Sequence, residues 1–123
     1  MGVFTDTYRS NKQRSIAMSK TINIAKEFTT TPGARYVEDG PFSGEEFRTK
    51  FLEPLFSSGE DDTEITIILD GTEGYPTSFL EEAFGGIARK YGRELCLKRL
   101  RYVSEEDKLL VDEIQSYIKK CND

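Results

Sequence analysis

The sequence predicts a single α/β domain with a central mixed four-stranded sheet and three main helices in the order ββαβαβα. Its 123 residues are enough for one domain with its own core. Residues 65–69 form a nearly continuous apolar run, which is typical of a central strand covered on both faces. Residues 79–91 then carry apolar side chains at helical spacing. A strand followed directly by such a helix indicates right-handed crossovers between neighbouring strands.

The composition argues against several classes of function. The chain has a formal net charge of −5 and no histidine, so we expect neither general nucleic-acid binding nor a histidine-based catalytic site. The two cysteines lack metal-type spacing, which predicts reduced thiols and no zinc site. No apolar stretch approaches the ~18 residues of a membrane span. We expect a cytoplasmic, non-enzymatic protein with no cofactor, no metal and no membrane partner.

The charges are distributed unevenly along the chain. Nine acidic residues and no basic residue lie between Lys50 and Arg89. Six basic residues then occupy positions 89–101, against Glu94 as the only acidic one. This distribution predicts a domain with two electrically different sides, on which the basic run is either a solvated patch or a landing surface for an acidic partner.

The first part of the chain divides into an extension and the start of the domain. Residues 1–19 are polar and lack periodicity, so we interpret them as an N-terminal extension to a domain of residues 20–123. Residues 21–28 alternate between apolar and polar positions and predict the first strand. Residues 34–39 predict a second strand, which the following Gly-Pro pair ends.

The first main helix has a clear start signal. Ser43 and Glu46 have the spacing of a capping box, in which each side chain bonds a backbone N–H group near the helix start. Pro54 cannot donate a backbone hydrogen bond, so we expect a kink or a break near Glu53. Apolar residues recur at four-residue spacing and predict one buried face, formed by Phe47, Phe51 and Leu55.

The second main helix is predicted to start at Ser78 as the N-cap, with Glu81 as its capping-box partner. The pair Gly85 and Gly86 costs about 1 kcal/mol per residue relative to alanine, so we expect close packing on the sheet as compensation. The predicted buried face consists of Phe79, Leu80, Ala83, Phe84, Ile87, Ala88 and Tyr91.

The last two elements are a strand and a helix. Residues 94–103 predict a strand whose alternation slips in the middle, as happens at a sheet edge or a bulge. Ser104 is predicted to cap the final helix. One face of that helix is apolar and comprises Leu110, Val111, Ile114, Tyr117, Ile118 and Cys121.

The predicted topology places the functional site in the loop of residues 70–78. Sites in α/β sheets lie beyond the carboxyl ends of the strands, and this loop follows the central strand. We expect Asp70 to accept backbone hydrogen bonds, as aspartates in turns commonly do. Tyr75 is either an exposed recognition residue or a cover for the sheet edge. The remaining loop residues supply either turn geometry or N–H groups for an anion; they are Gly71, Thr72 and Gly74.

The residues around this loop resemble a known family. The motif LDGTEGYPTSFLEEAFGG at residues 69–86, with FSGEEFR at residues 42–48, resembles a bacterial family of STAS-like domains of unknown function. The parent fold is that of anti-anti-sigma factors and of the cytoplasmic domains of sulfate transporters. The resemblance covers residues 20–103 and is specific in the central motif. It implies a single STAS-like domain.

The resemblance also implies a regulatory role. In anti-anti-sigma factors an acidic residue follows the central strand, and a partner anti-sigma kinase phosphorylates a Ser or Thr at the start of the next helix. Asp70 occupies the acidic position here. Ser78 is then the first choice for the modified or partner-contacting hydroxyl, and Thr77 the second. The implied partner is a kinase or an anti-sigma-like ATPase, bound by a monomer or weak dimer of this chain.

Other interpretations remain open from the residues alone. Ser78 is equally explained as an N-cap, and nearby carboxylates would repel a phosphate that the helix N-terminus attracts. A small-ligand or nucleotide sensor would instead hold an anion in the loop of residues 70–78. A hydrolase using Ser78 lacks a histidine base. Three residues from the first half of the chain are expected to converge on the loop, namely Arg35, Ser43 and Arg48.

Overall fold

Three parallel strands form the sheet within residues 19–121, which are the residues that the structure, a computed structural model, describes. They are β1 (Lys20–Asn23), β2 (Ile65–Ile68) and β3 (Leu100–Val103), in the spatial order β1-β2-β3. The α/β class is therefore confirmed. The predicted extension of residues 1–19 lies outside the described residues apart from Ser19.

The first strand is shorter than predicted. It ends at Asn23, and the chain continues as the short helix α1 (Ile24–Glu27). The side-chain oxygen of Asn23 accepts a hydrogen bond from the backbone N–H of Lys26 at 3.2 Å. Asparagine is a strong N-cap residue, and this local bond ends the extended backbone that the alternation predicts for residues 21–28.

The predicted second strand at residues 34–39 is wrong, and with it the four-stranded mixed sheet and the order ββαβαβα. The only regular element in this range is a 3₁₀ turn, Val37–Asp39. The carbonyl groups of Ala34 and Arg35 accept hydrogen bonds from Gly44 and Glu45 at 2.9 and 3.0 Å. These backbone groups close a loop and are not available to a strand partner.

The strand predicted at residues 94–103 is also wrong in its first half. Residues Arg93–Arg99 form the helix α4, and β3 begins at Leu100. The buried residues of α4, Cys96 and Arg99, are three positions apart, which is helical spacing. The slip in the apolar alternation marks this change from helix to strand.

The two main helices each contain a wide turn. Helix α2 (residues 44–56) includes the π-helical segment Arg48–Leu52, and helix α3 (residues 77–91) includes the π-helical segment Glu81–Gly85. In a π turn the N–H group bonds the carbonyl five residues back, so one extra residue is accommodated per turn. Both segments are invisible to a 3.6-residue periodicity.

The π turn of α2 changes which residues face the core. Phe47 is buried as predicted, but Leu52 and Phe56 follow it at the core, whereas Phe51 and Leu55 are only half-buried. The spacing of five and then four residues is what one extra residue produces. The predicted kink or break near Glu53 corresponds to this π turn, which ends at Leu52. The N–H group of Glu53 bonds the carbonyl of Arg48, and the helix continues through Pro54 without a break.

The apolar faces predicted for the second main helix and the final helix are confirmed. In α3 all the predicted residues are fully buried except Tyr91, which is half-buried. Helix α5 (Leu109–Lys119) buries Ile114 and Ile118. Ser104 does not cap α5, because its hydroxyl donates to the carbonyl of Asp107 in the preceding turn.

The acidic and basic runs of the sequence interleave in space, so the prediction of two electrically different sides is wrong. Four of the six basic residues at positions 89–101 pair with residues of the acidic run. The pairs are Arg89–Glu81, Lys90–Glu53, Lys98–Asp62 and Arg101–Glu64.

Two further predictions concern the thiols and the membrane. Cys96 and Cys121 are both buried, and neither forms a disulfide. Burial raises the pKa of the Cys96 thiol to about 12, which keeps it protonated at neutral pH. Among residues 19–121, no helix has the length and apolar character needed to cross a membrane.

Candidate functional site

The loops that follow the three parallel strands meet at the carboxyl edge of the sheet. Both carboxylate oxygens of Asp70 accept backbone hydrogen bonds, from Glu105 at 3.0 Å and Glu106 at 2.9 Å. Glu106 in return accepts the N–H of Gly71 at 3.0 Å. Asp70 therefore accepts backbone hydrogen bonds as predicted, but the donors belong to the loop after β3. The N–H groups of Glu106 and Glu105 hold the pKa of Asp70 below its ordinary value.

The loop after β1 is attached to the same site. The N–H of Glu73 donates to the carbonyl of Thr30 at 2.8 Å. Gly71 has φ of 96°, and a Cβ atom there would lie 3.0 Å from the Cβ of Ala25 in α1. Glycine is required at this position both by its backbone conformation and by the close approach of α1. All three carboxyl-edge loops are thus held to one another.

Tyr75 covers the edge of the sheet. Its hydroxyl donates to the carbonyl of Leu69 at 2.8 Å, and its ring lies 5.9 Å from that of Phe79. Burial raises the pKa of Tyr75 to about 12. Of the two interpretations of this side chain, the geometry favours the cover over the exposed recognition residue.

The loop has few N–H groups left for an anion. Those of Gly71 and Glu73 are bonded as described above, and that of Gly74 donates to the hydroxyl of Thr72 at 3.3 Å. An anion cradle needs several adjacent N–H groups that point to one place. The geometry therefore gives no support to a nucleotide or anion site on the residues Gly71, Thr72 and Gly74.

The start of α3 differs from the prediction. The helix begins at Thr77 after an extended Pro76, and no side chain caps it. Ser78 is consequently inside the first turn, so its predicted role as N-cap with Glu81 is wrong. Thr77 is exposed and Ser78 is half-buried. Thr77 lies beside the hydroxyl of Tyr117 on α5.

Arg35, Ser43 and Arg48 do not converge on the loop of residues 70–78. Ser43 caps α2, because its hydroxyl accepts the N–H of Glu46 at 3.0 Å. Arg35 pairs with Glu81 at 2.5 Å, and Arg48 pairs with Glu82 at 2.5 Å. Both arginines therefore meet the π turn of α3 and not the carboxyl edge of the sheet.

These residues belong to a larger group of charges between α2 and α3, which we call the ionic cluster. Its members are Arg35, Arg48, Glu53, Glu81, Glu82, Arg89 and Lys90. Burial alone raises the pKa of Glu81, but hydrogen bonds from Arg89 and Arg35 outweigh it, so this pKa lies below its ordinary value of 4.5. No sequence pattern predicts which of these charges meet.

The Gly85–Gly86 pair makes room for the ionic cluster. The expectation that these glycines allow close packing on the sheet is wrong. A Cβ atom on Gly86 would lie 2.6 Å from a guanidinium nitrogen of Arg48. One on Gly85 would lie 2.7 Å from a carboxylate oxygen of Glu81. The unusual glycine pair is the sequence signal for this close approach, although it does not say what approaches.

The fold and this site define a small α/β domain whose three carboxyl-edge loops are joined by hydrogen bonds. Residues 43–109 match the family described as STAS-like domain of unknown function (DUF4325). The match covers more than half of the chain, so the chain belongs to this family and the suspected resemblance is confirmed. Comparison with curated proteins and with solved structures found no match.

Proposed function

We propose that this STAS-like domain is a non-enzymatic regulatory module that binds a protein partner through the loop of residues 70–78 and the start of α3. The main observation behind this proposal is that the loop is largely exposed but ordered. Hydrogen bonds made by Asp70, Glu73 and Tyr75 attach it to the rest of the fold. A loop that is already ordered loses little conformational entropy when a partner binds. Exposed loops on a rigid scaffold are common binding sites.

The control of binding would be phosphorylation of Ser78 or Thr77. Both hydroxyls lie in the first turn of α3, where the helix dipole and exposed N–H groups favour a negative charge. The nearby carboxylates of Glu81 and Glu82 are already paired with arginines. Their repulsion of a phosphate is therefore weaker than the sequence alone suggests.

A phosphate on Thr77 would also change its contact with α5. Thr77 lies beside Tyr117, whose hydroxyl donates to Glu113 at 2.7 Å. A phosphate placed beside Glu113 is repelled by that carboxylate. This arrangement supports a modification of Thr77 that alters the α3–α5 surface.

The test uses the full chain with a Ser/Thr kinase of the anti-sigma class and ATP. Peptide mass spectrometry is expected to find phosphate on Ser78 or Thr77. Ser78→Asp or Thr77→Asp is expected to weaken binding of that kinase by about tenfold or more relative to the alanine variants. Ser58→Asp, in an exposed loop away from this site, is the matched control. The switch is excluded if the aspartate variants at positions 77 and 78 all bind like the wild type.

A further inference from the structure

A second exposed surface lies on the loop of residues 33–44, which we call the folded loop. Its two ends are held together by backbone hydrogen bonds. The N–H of Gly33 donates to the carbonyl of Phe42 at 2.8 Å, and the N–H of Gly44 donates to that of Ala34 at 2.9 Å. A compact surface loop with joined ends is an Ω-type loop, a kind that is frequently functional. This loop is separate from the loop of residues 70–78.

The folded loop exposes three large apolar side chains. The exposed fractions are 43% for Tyr36, 56% for Val37 and 37% for Phe42. They account for three of the five large exposed hydrophobic residues among residues 19–121. Aromatic residues that stay exposed together on an ordered surface are typical of protein-binding sites.

Phe42 is held in an unfavourable backbone conformation. Its φ is +59°, and no other non-glycine residue among residues 19–121 has positive φ. A left-handed conformation costs a bulky residue roughly 1–2 kcal/mol. It is maintained by the Gly33 bond and by Glu46, whose carboxylate accepts the N–H of Phe42 at 3.1 Å. The ring packs edge-on against Phe28 at 5.5 Å. The aromatic side chain is thus fixed at the surface before any partner arrives.

The charges beside these side chains that form no ion pair are acidic. Residues 36–47 contain four acidic residues and no Lys or Arg. Arg35 lies 6.0 Å from the centre of the Tyr36 ring and pairs with Glu81, and Lys50 pairs with Glu46. Glu45 and Glu46 accept the N–H groups of Val37 and Phe42 at 2.9 and 3.1 Å. Glu38 and Asp39 are exposed and form no ion pair within residues 19–121. An apolar surface with such a rim complements a segment that combines apolar side chains with Lys or Arg.

We propose that the folded loop is a docking surface for a basic, apolar segment of a partner protein. The side chains of Tyr36, Val37 and Phe42 contact the apolar residues of that segment. Glu38 and Asp39 attract its Lys or Arg residues and set its orientation. The proposal does not depend on phosphorylation at Ser78 or Thr77, because its contacts are made by Tyr36, Val37 and Phe42. The folded loop adjoins the start of α3 through the Arg35–Glu81 pair.

The experiment titrates the ¹⁵N-labelled full chain with three synthetic peptides of equal length. The first carries leucines at helical spacing with lysines at the other positions. The second replaces the lysines by glutamates, and the third replaces the leucines by serines. We expect only the first to bind, with amide shifts concentrated in residues 36–46. Raised salt is expected to weaken the binding.

Two variants of the folded loop test the contacts. Asparagine tolerates the left-handed conformation, so Phe42→Asn removes the ring while keeping the backbone. Val37→Ser changes a residue whose side chain is mostly in solvent. Each is expected to weaken binding of the first peptide at least about fivefold, as loss of a contact at a hot spot does. Unchanged amide spectra outside the loop show that either variant is folded.

Leu109→Asn is the matched control. Leu109 is 76% exposed and follows the mainly acidic stretch Glu105–Lys108, in which Lys108 pairs with Glu105, so it offers another apolar residue near carboxylates. We expect this variant to bind like the wild type. The proposal is overturned if the first peptide does not bind or shifts amides mainly near Leu109. Equal binding of the serine peptide, or wild-type binding by both loop variants, overturns it as well.

Discussion

Arg99 is the largest fully buried side chain among residues 19–121, and its guanidinium group joins two parts of the chain. It donates to the carbonyl of Thr63 at 2.8 Å and to that of Leu55 at 3.2 Å. It also lies over the ring of Phe56 at 4.8 Å. Arginine supports this arrangement because its planar fork donates in two directions while its face stacks on an aromatic ring.

We expect Arg99→Met to destabilise the protein by about 2–3 kcal/mol, because the buried carbonyl of Thr63 and the half-buried carbonyl of Leu55 lose their donor. Arg99→Lys should recover part of this loss, since an ammonium group can reach only some of the same acceptors. Urea unfolding measures both. Lys98→Met is the control, because Lys98 and its partner Asp62 are exposed; it should change stability by less than about 0.5 kcal/mol. Equal effects at the two positions would contradict the role given to Arg99.

A second prediction concerns Asp70. Asparagine has one acceptor oxygen where the carboxylate has two, so Asp70→Asn should release the N–H of Glu105 or Glu106. Hydrogen exchange of that amide should accelerate by about tenfold. Glu73→Gln, in the same loop, is the control, because only the backbone of Glu73 is bonded.

The hydrogen bonds that Asp70 accepts from Glu105 and Glu106 should be lost in acid, and this direction follows from the pKa of Asp70. The pKa of Asp70 is lowered from its ordinary value of 3.8, so the carboxylate favours the folded arrangement above that value. The protection of Glu105 and Glu106 should be lost as the pH falls through the lowered pKa. Protection that persists in acid would show that the carboxylate is not its cause.

For single residues, the sequence predicts where a residue lies in the fold more accurately than which residues it contacts. It places Asp70 in a hydrogen-bonding role at the carboxyl edge, because an aspartate after a buried strand has few alternatives. It does not predict that Glu105 and Glu106 are the donors, since they are 35 and 36 residues away in the chain. It also misplaces the start of α3 by treating Ser78 as the cap, because Pro76 is extended and the helix begins directly after it.

Helices α2 and α3 meet at their π turns through the ionic cluster. Glu82 is almost fully buried and accepts from Arg48, while the glycine pair of α3 leaves space for the guanidinium group. The π turn of α3 has no signal in its own sequence segment, and that of α2 is marked only by Pro54, which follows it. This is why the periodicity identifies the face of α3 correctly and the face of α2 only in part.

The third prediction is that Gly86→Ala changes the stability of the protein in opposite directions in the wild type and in an Arg48→Ala background. In the wild type, Gly86→Ala should destabilise the protein by about 1–2 kcal/mol, because the new methyl group displaces Arg48 from Glu82. In an Arg48→Ala background the same substitution should stabilise by about 0.5–1 kcal/mol, since only the higher helix propensity of alanine remains. Thermal unfolding of the four proteins gives the double-mutant cycle. A substitution that destabilises equally in both backgrounds would show that Gly86 packs on something else.

The distribution of ion pairs decides how the whole molecule responds to acid. The pKa values of Glu53 and Glu81 are lowered by their Arg and Lys partners, although burial opposes this. Groups with lowered folded pKa values stabilise the protein above their ordinary value of 4.5. That stability is lost as the pH falls through the folded pKa values.

The fourth prediction uses Glu81→Gln to isolate one such group. At pH 7 the variant should be less stable by about 1 kcal/mol, a value reduced by the partial solvent exposure of the pairs. As the pH is lowered stepwise from 7 through the lowered pKa of Glu81, the difference should shrink toward zero, because Glu81 then becomes protonated in the wild type as well. Guanidinium chloride would screen the pairs, so urea unfolding at each pH is the measurement. A difference independent of pH would rule out the charge of Glu81 as the cause.

For the whole molecule, the sequence predicts the α/β class and the carboxyl-edge location of the candidate site. It overpredicts strands, because four-residue strands and single helical turns have similar apolar patterns over so short a length. The charge runs are separated in the sequence but interleave in the fold, since ion pairs such as Lys90–Glu53 depend on tertiary packing.

The short sheet also affects how copies of this protein behave toward one another. Two of its three strands are edge strands, and an exposed edge is a template for pairing with another chain. Each edge strand has only four residues and so offers about two outward N–H groups. Glu27 already accepts the N–H of Asn23 on β1 at 2.9 Å, and Arg101 donates to the carbonyl of Leu100 on β3 at 3.0 Å. A strand that added to either edge would displace these side chains for little gain, so neither edge of the sheet described within residues 19–121 favours pairing with another copy.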